Sequence, residues 1–152
     1  MGLVAAGVNG IKLDTRDEVV GVERIVKDAE ILLVASNGQA WRMLAEDFPV
    51  QGRYGQGVIA CRLNKGVKLV GEMLGKKTQS GTVHFEHAAS QTLRIDEVPS
   101  GKRSAASKYA IPVKVGDAII QVTVPLDLLT FWSAKPAVIR KSRVKKAKAD
   151  ES

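Results

Sequence analysis

Hydrophobic positions along this chain fall in short runs rather than at helical spacing. Val19, Val20, Val22, Ile25 and Val26 form one run. Residues 30–35 (EILLVA) form the next, followed by Ser36-Asn37-Gly38 and then residues 39–44 (QAWRML). Asn-Gly between two such runs predicts a hairpin closed by a type I′ turn, in which both central residues take positive φ. Residues 58–63, 67–74, 82–87, 91–95, 110–115 and 118–124 continue in the same style, and residues 45–48 predict one helical turn before Pro49. The pattern is that of an all-β chain of short antiparallel strands.

Some of these segments resemble one another. Residues 10–13 with 18–21, residues 58–63 with 67–71, and residues 109–115 with 118–120 each form a strand, a short polar break and a second strand. Leu13, Leu63 and Val115 take equivalent places, which gives a step of 50 and then 52 residues. A strand repeat of that length implies propeller-like blades or stacked β units. Two full units fit, and the last pair of strands begins a third. Chance similarity within a Val-rich β protein is the alternative.

Composition supports the strands. Val (19) and Ile (9) together outnumber Leu (12), and β-branched side chains suit a pleated surface. With 152 residues and 45% hydrophobic content, the chain has material for a core. No apolar run approaches the roughly 18 residues of a membrane span, and no signal-peptide pattern opens the sequence. Cys61 is alone, so no intrachain disulfide or cysteine-based zinc cage forms, and a reducing cytoplasm is the expected compartment.

The net charge of +7 is unevenly placed. Residues 135–152 carry seven basic groups and two acids, leaving 16 basic and 14 acidic groups in the rest. Any basic face on the folded part must therefore come from arrangement. Residues 140–152 predict a disordered basic tail, either a source of further phosphate contacts or a solubilising terminus.

Residues 7–13 (GVNGIKL), 17–20 (DEVV), 33–42 (LVASNGQAWR) and 49–59 (PVQGRYGQGVI) come in the order and spacing of one blade of a known module. They resemble the C-terminal β-pinwheel domain of the DNA gyrase A protein, with its relatives in topoisomerase IV. Gly52, Arg53, Gly55, Gly57 and Val58 match the family's Gly-rich G-R-x-G-x-G-V segment. Of the fuller gyrase box, Q-R-R-G-G-K-G, Gln51, Arg53, Gly55 and Gly57 fit, while Gly52, Tyr54 and Gln56 depart. The resemblance covers about residues 5–75 and fades near Ser100-Gly101-Lys102-Arg103, where no further glycines follow.

The resemblance implies two to three pinwheel blades over residues 1–139, a partial ring, with the tail at 140–152. It further implies that Met1 is an internal methionine and that the chain is the last blades of a larger subunit. The implied partners are double-stranded DNA, the ATPase B subunit of the enzyme, and the remaining domains of a topoisomerase A subunit. No cofactor is implied in this chain. The parent would be an ATP-dependent type IIA topoisomerase, and this part of it non-catalytic. Blades at the end of a partial ring also predict self-association through open edges.

Cations that meet phosphate without competing acids are the chemistry such a module needs. Between residues 51 and 77, Arg53, Arg62, Lys65, Lys68, Lys76 and Lys77 face Glu72 alone. Between 99 and 116, Lys102, Arg103, Lys108 and Lys114 face no acid. Gln51 and these cations are the candidate DNA contacts; a solvated strand face is the plainer reading of the same lysines. Arg42 is a further candidate, with covering Trp41 by its stem as the alternative. Trp41, Phe48, Phe131 and Trp132 read as core, since intact duplex offers no unpaired base to stack on. The apolar stretch at 126–132 would close the last blade or cover an edge.

Other chemistries find little support. The Arg53-Tyr54 pair is reminiscent of the cleaving tyrosine of type IIA topoisomerases, yet it sits between glycines without an acid cluster. His84 and His87, three apart on a strand, point to opposite faces and cannot share a metal. No P-loop, dinucleotide fingerprint or nucleophile elbow is present. A structural or protein-interaction β module is the competing reading, and a small hydrolase using His84 or His87 a distant third.

Overall fold

The computed structural model describes residues 7–106 and 108–125. Strand β1 (Glu30–Ala35) and β2 (Gln39–Leu44) form an antiparallel hairpin in register from Glu30↔Leu44 to Val34↔Ala40. The turn lies where Asn-Gly predicted it but is not type I′. Gly38 has φ +84 and donates its N–H to the Ala35 carbonyl at 3.1 Å, while Asn37 is not among the described residues with positive φ. Instead the Asn37 side chain accepts the Gln39 N–H at 3.2 Å. Packing selects this form, because the Gly38 carbonyl accepts the N–H groups of both Ala110 and Ile111. A Cβ at Gly38 would come 2.2 Å from the Ile111 oxygen.

β2 ends in the expected single helical turn, a 3-10 helix at Ala45–Asp47. Strand β3 (Leu69–Gly75) then pairs with the free edge of β1. A second sheet contains β4 (Ser80–Phe85), β5 (Gln91–Arg94), followed by the 3-10 turn Ile95–Glu97, and later β7 (Ile119–Thr123). Between them the short β6 (Lys108–Tyr109) returns to pair with β2. The sheet orders are β3-β1-β2-β6 and β5-β4-β7, with every named pair antiparallel.

The two sheets repeat one plan. Elements starting at Glu30, Ala45 and Leu69 recur at Ser80, Ile95 and Ile119, each fifty residues on. Hydrogen bonds follow the same step: Ala45 N–H to Ala29 and Ile95 N–H to Gln79, both 3.0 Å. So do the tight turns before β3 and β7, where Gly66 and Gly116 both have φ +81. Val67 N–H closes the first on Asn64, and Asp117 N–H closes the second on Lys114. The second step is therefore 50 rather than 52, and Val115 corresponds to Lys65 instead of Leu63.

Four expected strands are missing. Residues 10–13 make only the isolated Ile11↔Gly55 bridge, and residues 19–26 and 58–63 form no strand, since among the described residues no strand hydrogen-bonds to them. Residues 110–115 form none either. Pro112 lacks an N–H for a ladder, and pairing falls instead to Lys108 and Tyr109.

The larger core lies between the sheets. Leu32, Val34, Ala40 and Met73 of the first meet Val83, Phe85, Leu93, Ile95 and Ile119 of the second, with Val98 and Ile111 from the connections. The opposite face of the first sheet buries Leu33, Ala35, Trp41 and Met43 under Phe48, Ala60, Cys61 and Val67. Burial on both faces explains why EILLVA reads as nearly continuous apolar sequence. Trp41 and Phe48 thus pack inside. The readings made for residues 126–132, for Phe131 and Trp132, for the 139/140 boundary and for the tail lie outside the described residues.

Candidate nucleic-acid interface

Sheet order gives each unit an inner and an outer edge. β3 packs against β7, so these strands are inner, and β6 borders β2 on the far side. Along the outer edge run Ser100, bridged to Arg42, then Lys102 and Arg103, and finally Lys108 opposite Ala40. Lys65, Lys68 and Lys114 lie in or beside the two tight turns that lead into the inner strands. Lys76 and Lys77 lie at the other end of β3, in the turn to β4. About 20 Å separates the ends of a strand this long, so the candidate cations fall into distinct groups.

The Arg53 loop belongs with the outer edge by the same step of fifty. Tyr54 has φ 60 and Ser104 has φ 61, so Arg53-Tyr54 and Arg103-Ser104 make the same turn. Glycine is therefore not required for this conformation, and the turn recurs where the Gly-rich pattern fades. The first copy is held by Tyr54 N–H to the Gly10 carbonyl at 3.0 Å and by Lys12 N–H to Gly55 at 2.9 Å. Gly57 (φ 75) completes the loop, and Gln51, Gly52 and Gln56 are exposed on it. A shallow open cleft of about 440 Å³ is lined by Gly7, Val8, Asn9, Arg53 and Tyr54. Lys12, brought to this loop by the Ile11↔Gly55 bridge, is not singled out by the sequence, since a bridge across forty-odd residues leaves no local pattern.

Arg42 leaves the candidate set. It is 9% exposed, and its guanidinium pairs with Glu30, which is 3% exposed. Nη2 donates to Glu30 Oε1 at 3.2 Å and Nη1 to the Val98 carbonyl at 2.9 Å. Its guanidinium is committed to these partners and joins the hairpin to the connection beyond the second 3-10 turn. Arg103 is half-buried, and its Nη1 donates to the Ile59 carbonyl at 2.8 Å while its Nε donates to the Asp47 backbone carbonyl at 3.3 Å. It braces the outer connection, leaving less of it for a ligand. Arg53, Arg62, Lys65, Lys68, Lys76, Lys77, Lys102, Lys108 and Lys114 are exposed, and none is in an ion pair among the described residues.

Tyr54 is exposed with no acid cluster beside it, and no group of three or more metal-type ligands occurs among the described residues. His84 bridges two hydroxyls, Ser90 at 2.9 Å and Thr123 at 2.8 Å, so it stitches β7 to the β4–β5 connection. Burial pushes the Cys61 thiol up, away from the reactive thiolate. No described helix is long and apolar enough to cross a membrane.

The family model described as "DNA gyrase C-terminal domain, beta-propeller" matches residues 4–25 and 29–71. The chain is a partial C-terminal domain of the gyrase and topoisomerase IV A-subunit family. Over 80% of its length this partial domain is 30% identical to the DNA gyrase A protein of Deinococcus deserti, and over 93% it is 26% identical to that of Borrelia hermsii. It spans 14% and 18% of those two relatives. A crystal structure of the C-terminal domain of DNA topoisomerase IV superposes with a TM-score of 0.68 at 25% identity, over 78% of this chain and 38% of that one. A DNA gyrase A C-terminal domain superposes at 0.54 over 64% and 31%, at 21% identity, a likeness of fold. The gyrase-type domain is thus all-β with propeller-type sheets, as its resemblance implied.

Proposed function

We propose that this gyrase-type domain binds and bends double-stranded DNA, without a catalytic residue of its own, as part of a topoisomerase A subunit. Support comes above all from one observation: an exposed cation with no ion pair among the described residues stands at each of two equivalent outer turns, Arg53 in one and Lys102, next to the bracing Arg103, at the other. Lys108 continues that edge, and Lys65, Lys68 and Lys114 supply a second row. Contacts of this kind grip phosphate whatever the sequence, and a curved row of them offsets the several kcal/mol that bending a short duplex costs. On this reading the blades carry the phosphate contacts and the basic residues of 140–152 add further positive charge. The ATPase B subunit, together with the catalytic domains, then works on the captured DNA in the cytoplasm.

Fluorescence anisotropy with labelled duplexes tests the proposal. Affinity should fall steeply with added salt, and a duplex of about 40 base pairs should bind more tightly than a 12-mer. The combined change Arg53→Glu, Lys102→Glu and Lys108→Glu should cut affinity more than tenfold while far-UV circular dichroism stays unchanged. Binding that ignores salt and duplex length would reject it.

A further inference from the structure

One arginine ties together the two ends of an outer loop. The carbonyls that accept from Arg103 belong to Asp47, the last residue of the first 3-10 turn, and to Ile59, just past the Gly-rich segment. Between them run residues 48–58, the loop that carries Arg53 and Tyr54. Residues 49–54 and 56–57 of this loop are exposed, so burial does little to hold it. Its middle is held by Tyr54 N–H on Gly10 and by Lys12 N–H on Gly55, and its two ends meet at the Arg103 guanidinium.

The turn from which Arg103 reaches is anchored to the same surroundings. Gly101 N–H donates to the Arg42 carbonyl and Ser104 N–H to the Ala60 carbonyl, both at 2.8 Å, and Ala105 N–H closes the turn on Lys102 at 3.0 Å. Lys102 and the Arg53 loop therefore rest on one framework, with Arg103 joining the two. Arginine suits this place. Its planar fork presents donors in fixed directions and can hold two carbonyls at once, whereas a lysine carries the same charge without that geometry.

From this bridge we infer that Arg103 is a positioning residue for the bending of DNA: by closing the ends of loop 48–58, it sets where Arg53 stands relative to Lys102. The inference rests on the DNA-binding reading above and adds a division of labour to it. Arg53 and Lys102 meet phosphate, while Arg103 keeps them at a spacing that a single curved duplex can meet. With the loop already ordered, the ordering cost does not fall on binding, and more of the contact energy is left to bend the duplex.

Three measurements on the full chain separate position from charge: the salt slope of duplex affinity, hydrogen exchange over residues 48–58, and ligase-driven ring closure of a linear duplex of about 150 base pairs, one persistence length. At saturating protein the unaltered chain should accelerate ring closure. Arg103→Lys keeps the charge, so the salt slope should hold, while exchange over 48–58 rises and most of the acceleration is lost. Arg103→Ala should do the same to loop and ring closure. Lys102→Ala should lower the salt slope by about one and leave the protection of 48–58 unchanged. All three should keep the circular dichroism spectrum, since Arg103 is half-buried and Lys102 exposed. The inference is overturned if Arg103→Lys bends DNA as the unaltered chain does, or if 48–58 keeps its protection in both Arg103 variants. It is also overturned if Arg103→Ala lowers the salt slope as Lys102→Ala does, which would make Arg103 a phosphate contact, or if Arg103→Lys unfolds the chain, which would make it a stabilising residue. Failure of the DNA-binding reading looks different: the unaltered chain then binds duplex without salt dependence, and the positioning role falls with it.

Discussion

Gly71 and Val122 meet where the inner strands of the two sheets cross, and no room remains between them for a side chain on the glycine. A Cβ at Gly71 would lie 2.7 Å from Val122 Cβ and 3.2 Å from its backbone nitrogen. Backbone on both sides prevents relief by a simple rotamer change. Gly71→Ala should therefore destabilise the protein by about 1–3 kcal/mol, the usual cost of overpacking. Thermal or urea melts should register the loss, and Gly71→Ala with Val122→Gly, which removes the clashing Cβ, should relieve the overlap and leave a deficit smaller than the sum of the two single changes.

The Glu30–Arg42 pair predicts a second result. Both residues are buried, and Arg42 also holds the carbonyl of Val98, so losing either partner strands a charge in the interior. Arg42→Ala should cost about 3–5 kcal/mol, whereas Glu30→Leu with Arg42→Met should cost much less. The salt slope of DNA binding should be unchanged in the double variant. A lowered slope would return Arg42 to the phosphate contacts.

Two carboxylates predict opposite responses to pH. Partial desolvation would raise the Asp117 pKa, but N–H groups from Ala118, His87 and Ala88 at 2.8, 3.0 and 3.1 Å outweigh it and hold the pKa down. Its contribution is present above the unfolded value of about 4 and is lost as pH falls through the folded one. Glu72 is raised, first by desolvation and then by the nearby charge of Glu23. Here the folded form holds the proton more tightly, so stability declines as pH rises from about 4 through the folded pKa. Urea titrations between about pH 3 and 8 should show a shallower acid limb for Asp117→Asn and a flatter approach to neutrality for Glu72→Gln.

Local features are readable from sequence. The Ser36–Gly38 turn and the 3-10 turn at Ala45–Asp47 depend on residues within a few positions of one another, and both stand where the pattern puts them. The repeat is legible too, but its second step comes out two residues too long. Sliding a strand by two residues keeps every side chain on its own face, so alternation alone cannot detect the error. Whether a run becomes a strand depends on what lies beside it, which is why residues 19–26 and 58–63 have a strand's pattern without a strand's pairing. Arg42 reads as a surface cation because its partner is twelve residues away on the neighbouring strand. The glutamate heading the apolar run EILLVA is the available hint, since a buried acid needs a cation. For the interface, sequence supplies the exposed lysines but not their division between the outer edge and the two ends of β3.

The first sheet draws its inner strand β3 and its outer strand β6 from sequence that follows its hairpin, and β6 comes only after β4 and β5 of the second, so no single point along the chain separates one sheet from the next. A nick between Gly75 and Ser80 would leave β3 hydrogen-bonded to one sheet and β4 in the other, with the halves still interlocked. Shortening or lengthening such a molecule without opening a sheet means removing or adding one full period. Architectures of this kind change size in whole increments.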